Sequence, residues 1–204
     1  MNILQTLELL KEWKKLPAYR AEPRVDFIVA GALPEIIKYK YGCNIKQIIP
    51  ELPIRIGTID QSNNIDKSYK VDFYINLEDG RHIFIEFKTD SGSRRTKQDK
   101  YLFDAKRVGM KAILDGIIKI YSVTTYKEKY SILIDKLIQA ELITRNNSRY
   151  QTITKQDGIE ILYLQPHAKE PNEIGFTEIA KIMSESEDLF YKKFSEILLS
   201  WAND

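Results

Sequence analysis

Asp72, Glu86 and Lys88 are the residues whose types and spacing suggest shared chemistry. They fall in the stretch 69–88, which reads as a β-hairpin: Val71, Phe73, Ile75 and Leu77 alternate with polar residues, as do Ile83, Ile85 and Phe87 on the return strand. The loop length decides what faces what. A two-residue turn at Asp79-Gly80 sets Asp72 across from Phe87 and mixes charged with apolar side chains. A three-residue loop, Glu78-Asp79-Gly80 with Gly80 left-handed, sets Asp72 opposite Glu86, Phe73 opposite Ile85 and Tyr74 opposite Phe84. Only the second register keeps one face apolar throughout. Its other face gathers Asp72, Glu86 and Lys88 at the end away from the turn.

Two carboxylates held side by side repel, and a divalent cation is a reason to keep them there. Hard oxygen ligands suit Mg²⁺ or Mn²⁺, and Mg²⁺ takes few protein carboxylates while keeping sites for water and phosphate. Lys88, two residues after Glu86, is placed to bind a scissile phosphate or to activate the attacking water. The alternative is a surface strand with a solvated ion pair. Against it stand the apolar far side of the hairpin and Phe84 beside Glu86.

The elements around the hairpin must position these groups. An amphipathic helix is expected from about Asn2 to Lys15, with Leu4, Leu7, Leu10 and Trp13 on one face and Pro17 and Pro23 at its exit. A second helix is expected from Arg24. Pro34 either kinks it or opens a fresh helix, and Glu35 follows directly. A strand over Pro50–Gly57, preceded by prolines, leads through a polar loop at residues 61–64 into the hairpin. After Lys88, Thr89–Ser93 reads as a loop ending in a cap, with Ser93 the better candidate. The helix beyond opens with Arg94, Arg95, Lys97 and Lys100 and continues past Gln98, Tyr101 and Ala112. Cations in a first turn oppose the helix dipole; an anion such as phosphate reconciles them, and the alternative is a solvated basic face.

Further along, a helix over Tyr126–Ala140 and strands at 142–144 and 150–153 form a helix-plus-ribbon segment. Ile159–Leu164 is a nearly continuous apolar strand, as in a sheet interior, and one amphipathic helix closes the chain from about Thr177 to Trp201. Length and composition fit one globular domain with a modest insertion. A formal charge of +2 over 204 residues announces no nucleic-acid partner, so local clustering carries that argument. Cys43 is the only cysteine, which excludes an internal disulfide framework and a cysteine-based zinc site; two distant histidines disfavour a histidine-rich metal site. No signal-peptide pattern and no membrane-spanning apolar run is present, so a cytoplasmic protein without membrane contact is expected, and the sequon Asn146-Asn147-Ser148 reads as chance.

In order of elements and residues the chain resembles the PD-(D/E)xK nuclease superfamily over roughly 24–114 and the strand near Ile161. Asp72 matches the isolated aspartate of the second core strand, and Glu86-Phe87-Lys88 the Glu-x-Lys of the third. Glu35 resembles the glutamate many members carry on the helix before the sheet, and Gln98 with Tyr101 resembles the glutamine-tyrosine signature on the helix after it. Val71 stands where the naming proline would be, and Gln98 and Tyr101 are three apart rather than four.

The resemblance implies an α/β, restriction-endonuclease-like mixed central sheet flanked by helices, with an α-βββ-α-β core at about 24–120 and 159–200 and the insertion at about 121–158, all in a single domain. It implies Mg²⁺-dependent (or Mn²⁺-dependent) hydrolysis of phosphodiester bonds, most readily in DNA. Asp72, Glu86 and the Phe87 carbonyl would hold the metal, with Glu35 on a second metal or a metal-bound water. Lys88 would orient the attacking water, Gln98 would position it or the nucleic-acid backbone, and Arg94, Arg95, Lys97 and Tyr101 would contact nucleic acid. A homodimer is also among its implications, and the apolar stripes of the first and last helices serve either an interface or the core. The rival reading is a non-catalytic module that retains the nuclease fold and binds nucleic acid or protein.

Overall fold

The computed structural model describes residues 3–16, 20–63, 65–90, 92, 94–147 and 149–203. Asn2, Pro17, Asn64, Ser148 and the expected cap Ser93 lie outside them. The elements run α1 (Ile3–Trp13), α2 (Glu22–Tyr41), β1 (Ile45–Arg55), α3 (Ile56–Ile59), β2 (Ser68–Leu77), β3 (His82–Phe87), α4 (Thr96–Val123), α5 (Lys127–Gln139), β4 (Ile143–Asn146), β5 (Arg149–Thr152), β6 (Ile159–Gln165), β7 (Glu173–Gly175), α6 (Phe176–Ser184) and α7 (Leu189–Ala202). The protein is mixed α/β, with a five-stranded mixed sheet in the order β1-β2-β3-β6-β7 flanked by helices, and β4 and β5 paired as a separate ribbon. Among the described residues no helix is long and apolar enough to cross a membrane.

The chain divides into two compact units, one of residues 45–86 and 95–161, the other of residues 1–44, 87–94 and 162–204. In the first, β1 and β2 pair antiparallel, and so do β2 and β3. β1 is longer than the sequence suggests and contains Pro50 and Pro53 rather than starting after them. It stands at the end of the sheet, where a residue that cannot donate to a ladder is tolerated. Both faces of the hairpin are buried: Tyr74, Ile75, Phe84, Ile85 and Glu86 are wholly inaccessible.

Helix α4 is longer than expected and broken in the middle. Gly109 has φ 85° and ψ 165°, a region essentially reserved for glycine. The segment after the break starts afresh and needs its own cap. Asp157 supplies it, with its carbonyl accepting from Met110 N at 2.8 Å and its carboxylate from Lys111 N at 2.7 Å. A Cβ on Gly109 would lie 2.5 Å from Asp157 Oδ2.

The loop before β6 is tied to the hairpin by buried His82. The Gln156 carbonyl, 3.0 Å from His82 Nε2, can only accept, so Nε2 carries the proton and Nδ1 accepts from the Tyr74 hydroxyl at 2.8 Å. Burial pushes the His82 pKa down, partly countered by the Gln156 carbonyl and the Asp157 charge. The unfolded chain therefore takes up this proton more readily than the fold does. Stability is retained above an ordinary histidine pKa of about 6.5 and declines as pH falls from there to the folded pKa. Thermal unfolding followed between pH 7.5 and 5.5 is expected to show a larger fall in midpoint for the native protein than for His82→Asn, which has no proton to gain; equal falls would exclude His82 as the cause.

In the second unit α2 continues through Pro34 as one helix, beginning at Glu22 with Pro23 in its first turn, and ends on left-handed Gly42. The C-terminal region is two helices rather than one, with Asp188 capping α7 through Phe190 N at 2.8 Å. In its core Phe87 stacks on Phe176, which packs at a tilt against Trp201. The short strand β7, parallel to β6, was not anticipated from the sequence.

Candidate active site

The hairpin closes as the alternation requires. Phe73 pairs with Ile85, Tyr74 with Phe84 and Asn76 with His82. Gly80 is left-handed at φ 88°, and Leu77 N donates to the Arg81 carbonyl at 3.0 Å, leaving a three-residue loop. Continued by one pair, this register sets Asp72 opposite Glu86 on a shared face. Asp72 is half-buried and Glu86 fully so. On the other side of Asp72, Glu51 of β1 has φ 53° and pairs through its carboxylate with Lys70 at 3.2 Å.

A fully buried carboxylate needs hydrogen-bond donors, and α4 provides them. Gln98 Nε2 donates to Glu86 Oε2. The Tyr101 hydroxyl lies 3.2 Å from Glu86 Oε1 and 2.9 Å from the Lys70 carbonyl, with one proton to share between them. Residues three apart lie on one helix face, so the shorter spacing of this pair still brings both side chains to Glu86. Burial, reinforced by the Glu86 charge, raises the Tyr101 pKa far above its ordinary value. Tyr101 is therefore a donor here and not a base.

Lys88 belongs to the other unit, two residues along the chain from Glu86. It is almost wholly buried, and its ammonium donates to Glu22 Oε1 at 3.1 Å and to the Phe87 carbonyl at 3.0 Å. The acid that α2 brings to Lys88 is Glu22, not Glu35. Thirteen residues on, Glu35 is roughly 20 Å further along the helix axis. There it lines a cavity of about 380 Å³ with Gly31, Lys38, Tyr39, Met183 and Tyr191; burial foremost, then the charge of Glu35, raises the Tyr191 pKa. Glu22 was missed because Pro23 reads as the exit of the first helix. The available signal was an acid followed by proline, which also marks a helix's first turn.

The basic cluster is also divided. Helix α4 starts at Thr96, so Arg94 and Arg95 precede it, with Arg95 extended at the cap position and Lys97 exposed in the first turn. Arg94 pairs with the buried carboxylate of Glu173 at 2.8 Å and lies 4.0 Å over the Tyr163 ring. Glu173 also accepts from the backbone N–H groups of Lys169 and Glu170. Arg94→Ala is expected to cost about 1–2 kcal/mol in chemical denaturation, below the full penalty for breaking a buried pair because those two bonds remain.

No group of three or more His, Cys, Asp or Glu side chains suited to a metal is found among the described residues. Two carboxylates nevertheless suit Mg²⁺, which keeps most of its shell for water and phosphate. The residues present thus fit a hard divalent ion held by Asp72 and Glu86. Compared with protein-family models, curated proteins and solved structures, the chain matches none of them.

Proposed function

We propose that this protein is a Mg²⁺- or Mn²⁺-dependent nuclease of the PD-(D/E)xK, restriction-endonuclease-like class, hydrolysing phosphodiester bonds in DNA. The observation that carries the reading is the wholly buried Glu86, in register opposite Asp72 and held by Gln98 and Tyr101. Such a carboxylate is costly to keep charged, and a position beside a second acid makes it more so. A bound cation offsets both costs. When bound, the metal supplies Lewis-acid stabilisation of charge on the phosphate oxygens and a more acidic water. Asp72 and Glu86 would hold it, and Gln98 and Tyr101 fix the rotamer of Glu86. The resemblance assigns to Lys88, in the Glu-x-Lys spacing, the charge that binds the scissile phosphate or orients the water; within its own unit Glu22 orients Lys88.

A second reading has its own support. Both Glu86 oxygens already have donors and the Phe87 carbonyl accepts from Lys88, a satisfied network of the kind a non-catalytic binding module could retain. Linear, circular and single-stranded DNA incubated with and without Mg²⁺ or Mn²⁺ separates the two. Metal-dependent cleavage lost in Asp72→Asn and Lys88→Ala supports the enzyme; DNA binding with no cleavage under any condition supports the module.

A further inference from the structure

The rings of Tyr69 and Tyr101 stack at 4.6 Å between centroids and 7° between planes. Tyr101 is packed in place and anchored by its hydroxyl beside Glu86. Tyr69 is half-buried, and the exposed ammonium of Lys97 lies over its ring, 5.5 Å from the centroid. Lys67, Lys70, Arg95 and Lys100 are exposed on the flanking segments of the same unit. A ring backed by a fixed second ring loses little freedom on gaining a further planar neighbour, and the surrounding cations suit a phosphodiester chain.

We propose that Tyr69 is the stacking platform for an unpaired nucleobase of DNA, beside the Asp72–Glu86 pair. This deepens the nuclease reading and rests on it for the role of the site, since it makes the substrate single-stranded DNA or a frayed end. A base inside an intact duplex is already stacked on both faces and has no π-surface to offer. An unpaired base has one, and stacking on an aromatic ring is tolerant of sequence. The arriving base takes the place of the exposed Lys97 ammonium over the ring, and that ammonium swings out to the adjoining phosphate.

The test is binding of the full chain to oligo(dT) carrying 2-aminopurine, whose fluorescence is quenched by stacking. It is made in the Asp72→Asn background with EDTA, so that neither cleavage nor a bare carboxylate's repulsion enters. Tyr69→Ala is expected to weaken binding about 5- to 150-fold, the share of one stacked base, and to abolish quenching, while Tyr69→Phe keeps both. Tyr69→Leu, which keeps apolar cover on Tyr101 without a π-face, should behave as the alanine variant does and guards against a folding artefact. Binding to blunt duplex should be the same in all of them. Unchanged affinity and quenching in Tyr69→Leu, equal losses for duplex and single strand, or no binding of single strands overturns the proposal. Stacking without metal-dependent cleavage in the native protein would leave the platform standing and remove the enzyme. Cleavage with no effect of Tyr69 would do the reverse.

Discussion

Asp72→Asn is expected to lower metal-dependent cleavage by about a thousandfold or more at a smaller cost in thermal stability than Glu86→Gln. The separation of the two effects follows from where the carboxylates sit. Asp72 is half-buried, and asparagine keeps its size and one acceptor oxygen. What it loses is the charge that holds a cation. Glu86→Gln should abolish cleavage as well, but at a cost in stability. Glutamine has one acceptor oxygen, so one of the donors from Gln98 and Tyr101 meets an NH₂ group instead. Cleavage and denaturation curves measured on the same preparations of both variants check this. A contaminating nuclease would leave both variants as active as the native protein. Asp72→Asn with full metal-dependent activity would remove the pair from the mechanism.

Gly109→Ala is expected to be the most destabilising single-methyl addition in the chain, at roughly 3 kcal/mol. About 1–3 kcal/mol comes from forcing a non-glycine residue into this backbone region, and the remainder from displacing Asp157, whose loss as a cap is worth about 0.5–2 kcal/mol. For a protein of this size that lowers the melting midpoint by about 6–12 °C. Asp157→Ala alone costs only the cap. The double variant separates the two contributions: the clash between the new Cβ and the carboxylate disappears, so its cost falls short of the sum of the single costs by the clash energy. Strict additivity would assign the whole Gly109 effect to backbone strain. Because α4 carries Gln98 and Tyr101 ahead of the break, both variants also test how far the order of Glu86 depends on the second half of the helix.

These two outcomes depend on different parts of the sequence. The hairpin register was legible because its determinants are local: period-two alternation on both strands, and a glycine at the one loop position that takes φ 88°. A slip of one residue would turn every apolar side chain to the other face, so burial admits a single pairing. That Gln98 and Tyr101 belong together was legible from their spacing, but that both donate to Glu86 was not: the sequence pointed them at water and nucleic acid. Gln98 and Tyr101 are one helical turn apart, and any helix that brings one to Glu86 brings the other.

The break at Gly109 was hidden because a glycine inside a helical pattern is ordinarily tolerated; Asp157, 48 positions later, decides that the helix stops there and restarts. Glu22 meets Lys88 across 66 positions of sequence, and Arg94 meets Glu173 across 79. Neither pairing leaves a periodic signal, so the sequence points to Glu35 without raising Glu22, and gives no sign that Arg94 has a carboxylate of its own chain within reach. The sequence by itself determined the facing of Asp72 and Glu86, because pleat and turn are rules about neighbours. Which acid stands by Lys88, and which carboxylate takes Arg94, only the tertiary structure decided. Those outcomes depend on which distant segments are packed together, and a charged side chain takes the partner that packing puts within reach.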